Sequence, residues 1–150
     1  LKLHSGNGFH YTDSRYEPAL QICNERRLPV LLHTWAEDDL CATVDQLAGF
    51  YPDASFILAH AGVRGAEHYC SLANRHEHVY LDPTMSSTPR GLWRRLTQAV
   101  GPEKLVWGSD AWFFSATPQL GKLAGADISE SDKRAILSTT PRAILNRAQT

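Results

Sequence analysis

The sequence predicts an α/β fold of parallel strands joined by helical crossovers, with its chemistry gathered at the carboxyl ends of the strands. Three observations predict it. Short apolar runs alternate with helix-periodic stretches about five times, the order that parallel strands with right-handed crossovers require. The connections are only a few residues long, with no linker, low-complexity segment or short repeat. Three of the apolar runs also end on a residue type that binds metals. Pro29–His33 and Phe56–His60 end on histidine, and Leu105–Trp107 is followed, past Gly108, by Asp110.

Taken in order, Leu1–His4 reads as the end of a strand, with Lys2 and His4 on one face by the two-residue period. Ser5–Gly8 is a loop by its turn residues. A helix is expected from about Asp13 to Arg27, striped by Tyr16, Ala19, Leu20 and Cys23. Pro29 opens the strand that ends at His33. The next helix, about Glu37 to Tyr51, is striped by Leu40, Val44, Leu47, Ala48 and Tyr51, and Pro52-Asp53 turns the chain into the strand ending at His60. A shorter helix, about Gly65 to Arg75, carries Ala66, Tyr69, Cys70 and Ala73 on one side. Val79–Asp82 is a fourth strand, closed by Pro83. A helix from about Pro89 to Val100 should bury Leu92, Trp93, Leu96 and Val100 before Gly101-Pro102 breaks it. The fifth strand, Leu105–Trp107, follows. Ser129 with Asp132 gives the start signal of a further helix, and Thr140-Pro141 starts the last one, with proline in the first turn.

At 150 residues, 43% apolar and 21% charged, the chain has the composition of one globular domain. A net charge of −1 excludes a broad electrostatic footprint for nucleic acid. No apolar run approaches the roughly 18 residues that cross a bilayer, and Leu1–Gly6 lacks a basic-then-apolar leader pattern. The expectation is a soluble cytoplasmic protein acting on a small molecule, with no nucleic-acid or membrane partner. Cys23, Cys41 and Cys70 form an odd set without C-x-x-C spacing and read as buried, reduced thiols.

In a parallel barrel, chemistry collects where strand ends and their loops converge. His33, His60 and Asp110 all occupy that position, one and two strand–helix units apart, and their imidazole and carboxylate donors suit Zn²⁺, with Mn²⁺ or Fe²⁺ as alternatives. A single strand-end histidine would read as a satisfied core residue, and a single aspartate as a helix cap. Three in register read as a metal site. Asp110 is also the candidate base for a metal-activated water, its ligand and base roles being inseparable in sequence. Trp35, Trp112 and Phe113 either wall a pocket for a ring-shaped substrate or close the barrel rim. Lys2 and His4 are weaker candidates, Lys2 reading better as a snorkelling surface lysine. Asp82 fits a site or a turn, and Arg64 fits an anion contact or a solvated loop. His68, His76 and His78 are assigned to the surface.

These motifs resemble a known family. Val30-Leu31-Leu32-His33-Thr34, Ile57-Leu58-Ala59-His60-Ala61-Gly62 and Val106-Trp107-Gly108-Ser109-Asp110 are similar to the later strand motifs of the amidohydrolase-related metal-dependent hydrolases. Lys2-Leu3-His4 with Gly8, Phe9, Asp13 and Tyr16-Glu17-Pro18 resembles their fourth-strand region, and Ala126–Ser129 through Ile136-Leu137 their closing helices. The resemblance implies a (β/α)₈ TIM-type barrel in which the matching His, His and Asp hold the metal and the aspartate takes part in proton transfer. It departs from the family in carrying no first-strand His-x-His pair. His76-Glu77-His78 has that spacing but precedes its strand, and Thr139–Arg142 replaces the usual Asn-Ala turn.

The combined expectation is a partial (β/α)₈ barrel, about strands four to eight, with residues 1–150 as its C-terminal portion. Its function would be a metal-dependent hydrolase, metal-activated water attacking an amide, lactone or related carbonyl. The alternatives are a metal-dependent decarboxylase on the same scaffold, or an inactive truncated remnant. Open strand edges, and inward faces at Val30, Leu31, Phe56, Leu58 and Val106 that lose partners, would favour a homo-oligomer.

Overall fold

In the computed structural model, which describes residues 1–35, 39–111 and 113–148, four parallel strands form one sheet. They are β1 (Lys2–Leu3), β2 (Pro29–His33), β3 (Ser55–Ala59) and β4 (Val79–Asp82), hydrogen-bonded in chain order. The sheet is built in the middle. β2 pairs β3 along its full length, from Pro29↔Ser55 to His33↔Ala59, whereas β1 meets β2 over two residues only. Helices α1 (Glu17–Glu25), α2 (Leu40–Phe50), α3 (Ala66–Arg75) and α4 (Leu92–Val100) alternate with the strands, and α5 (Ala116–Ala124), α6 (Glu130–Arg134) and α7 (Thr140–Arg147) close the chain.

Strand alternation sorts the side chains into two environments. Leu3, Val30, Leu32, Phe56, Leu58, Val79 and Leu81 face the helices and join one core with Leu20, Val44, Leu47, Tyr69, Leu72, Leu92 and Leu96. The expectation that Val30, Phe56 and Leu58 face inward and lose partners is therefore wrong. Each is fully buried, because the odd-numbered partners Leu31, Ile57 and Ala59 take the other face. The amino-terminal part of that inner face is covered by the chain's own last helix. Ile144 of α7 packs with Tyr80, Val106 and Ile57, and Arg147 donates to Ser55 Oγ at 2.6 Å and to the Asp53 carbonyl at 3.1 Å.

The fifth strand is reduced to one isolated bridge, Leu81↔Leu105, with the Val106 amide donating to the Leu81 carbonyl at 3.0 Å. The next rung of a parallel ladder would need the residue-83 amide to donate to the Val106 carbonyl. Residue 83 is proline and has no N–H, so the ladder stops. Proline also reshapes the last helix. Instead of a fresh start at Thr140, α6 runs through a π-helical turn, Ala135–Thr139, directly into α7. Pro141 cannot supply the i→i−4 bond to Leu137, and the Thr140 amide bonds back to Ala135 instead.

Helix starts shift for local reasons. Asp13 caps a 3₁₀ turn, Ser14–Tyr16, and the α-helix begins only at Glu17 with Pro18 in its first turn. The fourth helix starts at Leu92, after Gly91 in a left-handed conformation. Ser129 and Asp132 form the expected reciprocal capping box. Helix α5 has no counterpart in the sequence reading, although Ser115 caps it and Pro118 falls in its first turn, where no N–H is needed. Cys23 is buried, and Cys41 and Cys70 are half-buried rather than fully enclosed. No helix among the described residues is long and apolar enough to cross a membrane.

Candidate active site

The carboxyl ends of the strands open into a cavity of about 380 Å³ lined by Lys2, Ala59, His60, Asp82, Asp110 and Phe113, among others. Lys2, Ala59 and Asp82 reach it by ordinary alternation, all being on the inner face. His60 does not. It directly follows Ala59, so the two-residue period would turn it toward the helices. A left-handed backbone at His60 (φ +63°) breaks the alternation and returns the ring to the inner side. Asp110 has the same unusual backbone, φ +54°, immediately after Gly108-Ser109. Non-glycine residues held in this region cost on the order of 1–3 kcal/mol each and persist where the surroundings impose them.

At His60 the surroundings do impose it. The Ala59 carbonyl before His60 accepts from Thr34 Oγ at 2.6 Å, and the Ala61 amide after it donates to the Asp82 carbonyl at 3.0 Å. His60 Nδ1 donates to the Thr84 carbonyl at 2.6 Å, leaving Nε2 as the acceptor nitrogen. His60 meets His33 edge-on with ring centroids 4.7 Å apart, and His4 stacks on His33 at 3.9 Å. Trp35 stacks on His60 at 5.3 Å and its indole N–H donates to His33 Nε2. Trp35 thus touches the His33 and His60 rings without itself lining the cavity. Phe113 lines the cavity but is 88% exposed, a rim residue, and Trp112 lies outside the described residues.

Charge in the site is set by burial. His33 is pushed down to about 4, first by burial and then by the neighbouring His4, His60 and Lys2 charges, with Asp110 opposing. It is therefore neutral at pH 7, the state in which imidazole binds a metal. Burial also pushes the Lys2 ammonium down, against Asp82 and Asp110. The Asp82 carboxyl is pushed up by desolvation, opposed by its hydrogen bonds to Thr84 and by His60 and Lys2. Asp82 Oδ1 accepts from the Thr84 amide at 3.0 Å, and Gly108 passes so close that a Cβ there would strike the Asp82 carboxylate.

The structure thus brings His33 and His60 together and puts His60 and Asp110 on one cavity. Among the described residues no group of three or more His, Cys, Asp or Glu side chains is placed to hold a metal ion. The imidazole and carboxylate donor types themselves suit a divalent cation, although they are not gathered into such a set. His60 commits Nδ1 to the Thr84 carbonyl, His33 is neutral at pH 7, and His33 Nε2 accepts from the Trp35 N–H. Lys2, an exposed side chain, and Asp82 line the cavity, His4 is exposed and stacks on His33, and Thr84, which also lines the cavity, was missed in sequence. The Asp82-Pro83-Thr84 turn signal was its only trace. Tyr11, whose hydroxyl donates to the His33 carbonyl at 2.5 Å, had none. Arg64 and His68 are exposed, as a solvated role predicts. His76 and His78 are not free surface residues. His76 Nε2 bonds Asp45 at 2.7 Å, and His78 is half-buried, its pKa lowered first by that burial. Both sit before β4, at the opposite end of the sheet from the cavity.

A sequence model described as amidohydrolase matches residues 1–147. No curated protein matches the chain. Among solved structures, an uncharacterised TIM-barrel protein from Bordetella bronchiseptica superposes with a TM-score of 0.77 at 18% identity, covering 93% of this chain and 53% of its own. A putative amidohydrolase from Staphylococcus aureus gives 0.67 at 12% identity, covering 97% and 63%. A dihydroxybenzoic acid decarboxylase from Polaromonas sp. JS666, solved with manganese and 2-nitroresorcinol, gives 0.67 at 15%, covering 93% and 57%. At such identities the likeness establishes the fold, that of a partial TIM-type barrel, and the chain spans little more than half the length of these barrels.

Proposed function

The chain belongs to the amidohydrolase family, and on that premise we propose that it forms the C-terminal portion of a metal-dependent hydrolase whose strand ends hold a divalent ion. His33, His60 and Asp110 are the proposed ligands, with Zn²⁺ the expected ion and Mn²⁺ or Fe²⁺ the alternatives. When bound, such an ion supplies Lewis acidity and lowers the pKa of a coordinated water toward about 7. Within the chain, the Thr84 carbonyl fixes the His60 tautomer, burial keeps His33 unprotonated, and Trp35 packs on the His60 ring. Asp110 is the proposed base that accepts the proton of the attacking water as an amide, lactone or related carbonyl is opened.

The observation that carries the reading is His60. A histidine in a left-handed turn, its Nδ1 committed to a buried carbonyl and its ring turned into a cavity shared with an aspartate, has the geometry of an oriented ligand. Zn²⁺ titration followed by the His33 and His60 ring resonances tests it. Specific shifts in both rings are expected, and rings unmoved at millimolar Zn²⁺ would refute the site.

The second reading, a metal-dependent decarboxylase, is favoured by the mixed lining of the same cavity. Leu31, Ala59 and Phe113 offer an apolar surface for a flat ring beside the Lys2 cation, and one structural neighbour is a dihydroxybenzoic acid decarboxylase. Product analysis with aromatic carboxylates and with lactones separates the two. The open edge at β1 carries the further proposal of self-association, for which sedimentation at micromolar concentration is the test.

A further inference from the structure

Three segments that line the cavity, the turn after β3, the end of β4 and the Gly108–Asp110 turn, meet at one residue that sequence did not single out. We propose that Thr84 is the positioning residue of this site, its backbone and hydroxyl together setting His60, Asp82 and the Asp110 turn in one register. Thr84 is 3% exposed and makes four hydrogen bonds, all to those segments. Its carbonyl accepts from His60 Nδ1 at 2.6 Å and its amide donates to Asp82 Oδ1 at 3.0 Å. Its hydroxyl donates to the Gly108 carbonyl at 2.7 Å and accepts from the Gly108 amide at 2.9 Å.

The last pair stands where backbone would be expected. Past the Leu81↔Leu105 bridge, the next rung would have residue 83 donate to Val106 and accept from the Gly108 amide. Pro83 cannot donate, so the rung fails. One residue on, a hydroxyl supplies donor and acceptor from a single atom, which valine cannot do and which an amide side chain does only with two atoms. Threonine's branched Cβ restricts χ1 and so holds that atom in place. Gly108 completes the fit, since a Cβ there would meet Thr84 Oγ at 3.0 Å as well as the Asp82 carboxylate. The far side of the loop is anchored independently. Lys122 Nζ of α5 donates to the Met85 and Ser86 carbonyls at 2.5 and 2.8 Å.

A hydroxyl that merely joined two loops would affect stability alone. Thr84 instead joins the segment holding His60 to the one holding Asp110, and the backbone offers no ladder between them. The effect on metal binding rests on the proposed function above. The clip itself does not.

The test compares Thr84→Val and Thr84→Ser in the 150-residue chain by amide exchange and Zn²⁺ titration. In the wild type the Gly108 amide should exchange slowly, although it lies beyond the last rung. In Thr84→Val its exchange should accelerate about 10-fold or more while the Leu32 and Leu58 amides of the central ladder stay within about twofold, and Thr84→Ser should retain protection. A general loss of stability would instead speed all three amides together and overturn the proposal. Zn²⁺ affinity should fall about 10- to 100-fold in the valine variant and stay within about threefold in the serine variant. Unchanged Gly108 protection in Thr84→Val, or its loss in Thr84→Ser, overturns the clip. If Thr84→Val does not fold, fast exchange of Gly108 in the wild type overturns it equally, and slow exchange kept by Thr84→Ser supports it. A wild type that binds no Zn²⁺ sinks the metal reading, while the exchange arm still decides the clip.

Discussion

The seam between β2 and β3 and the seam between β4 and the Leu105 segment do the same job by different means. Each places two candidate functional residues side by side at the carboxyl end of the sheet. Between β2 and β3 a ladder of five residue pairs carries the register up to His33↔Ala59, and Thr34 adds a hydroxyl bond at its end. Between β4 and residues 105–110 there is one bridge, and beyond it a threonine hydroxyl. The difference teaches that register at a strand end can be set by cooperative backbone bonding or by one side chain. The second solution arises where proline removes the donor that the first needs. It also concentrates sensitivity, since the first seam can lose its terminal hydroxyl and keep its register.

The largest expected effect probes whether the sparsely bonded seam carries the chemistry. Asp110→Asn should lower turnover of a susceptible lactone or amide by about two to four orders of magnitude, the scale of losing a general base. Activity within a few-fold of the parent would return Asp110 to a structural cap.

The next breaks the better-bonded seam at its end. Thr34 is fully buried, donates to the Ala59 carbonyl and accepts from the Tyr69 hydroxyl at 2.9 Å. Thr34→Val should cost about 1–3 kcal/mol in urea denaturation, the scale of leaving buried polar groups unpaired. Gly108 exchange should not change, because the ladder below still sets the seam. Coupled loss at Gly108 would mean that the two seams are not independent.

A pH experiment compares the ends of the two seams. His33, at the end of β2, has its folded pKa depressed from 6.5 to about 4, so between those values the unfolded chain binds more protons than the folded one. Its contribution makes stability rise with pH from about 4 to 6.5. Asp82, at the end of β4, has its folded pKa raised by desolvation, so the folded chain holds the extra proton and stability falls as pH climbs above the ordinary aspartate range. Denaturation across about pH 4–7 should therefore show a shallower rise for His33→Asn and a steeper one for Asp82→Asn. The same change of slope in both variants would contradict the opposed signs.

The smallest effect would sharpen the comparison by restoring the missing donor. Pro83→Ala allows the rung to Val106 but frees the unfolded chain, two changes of about 1 kcal/mol or less that offset each other. Little net change in stability is expected, with new amide protection at position 83 as the signature. A restored N–H that exchanges as fast as an open loop would show that something other than proline ends the ladder.

Strands β1 to β4, the helices between them and the start of α6 were legible in local sequence, whereas α5 was not read there and the Leu105–Trp107 run forms one bridge in place of a strand. The apolar runs of β2, β3 and β4, helical stripes such as Leu92, Trp93, Leu96 and Val100, and the Ser129 capping box are local signals, and each was met where it was expected. The convergence of His33 with His60 was legible because both end strands of one parallel sheet, and His33 shares the inner-face parity of Leu31. Parity alone would have turned His60 outward, and only the folded chain, clamping residues 59 and 61 to Thr34 and Asp82, holds it in the left-handed turn that reverses this. The coverage of the inner face by α7 and the gathering of three segments at Thr84 were likewise decided by tertiary structure. Both join residues far apart in the chain, Ile144 with Tyr80 and Thr84 with Gly108. Periodicity reports which way a side chain points along one element, and it contains no term for what a distant backbone will require of it.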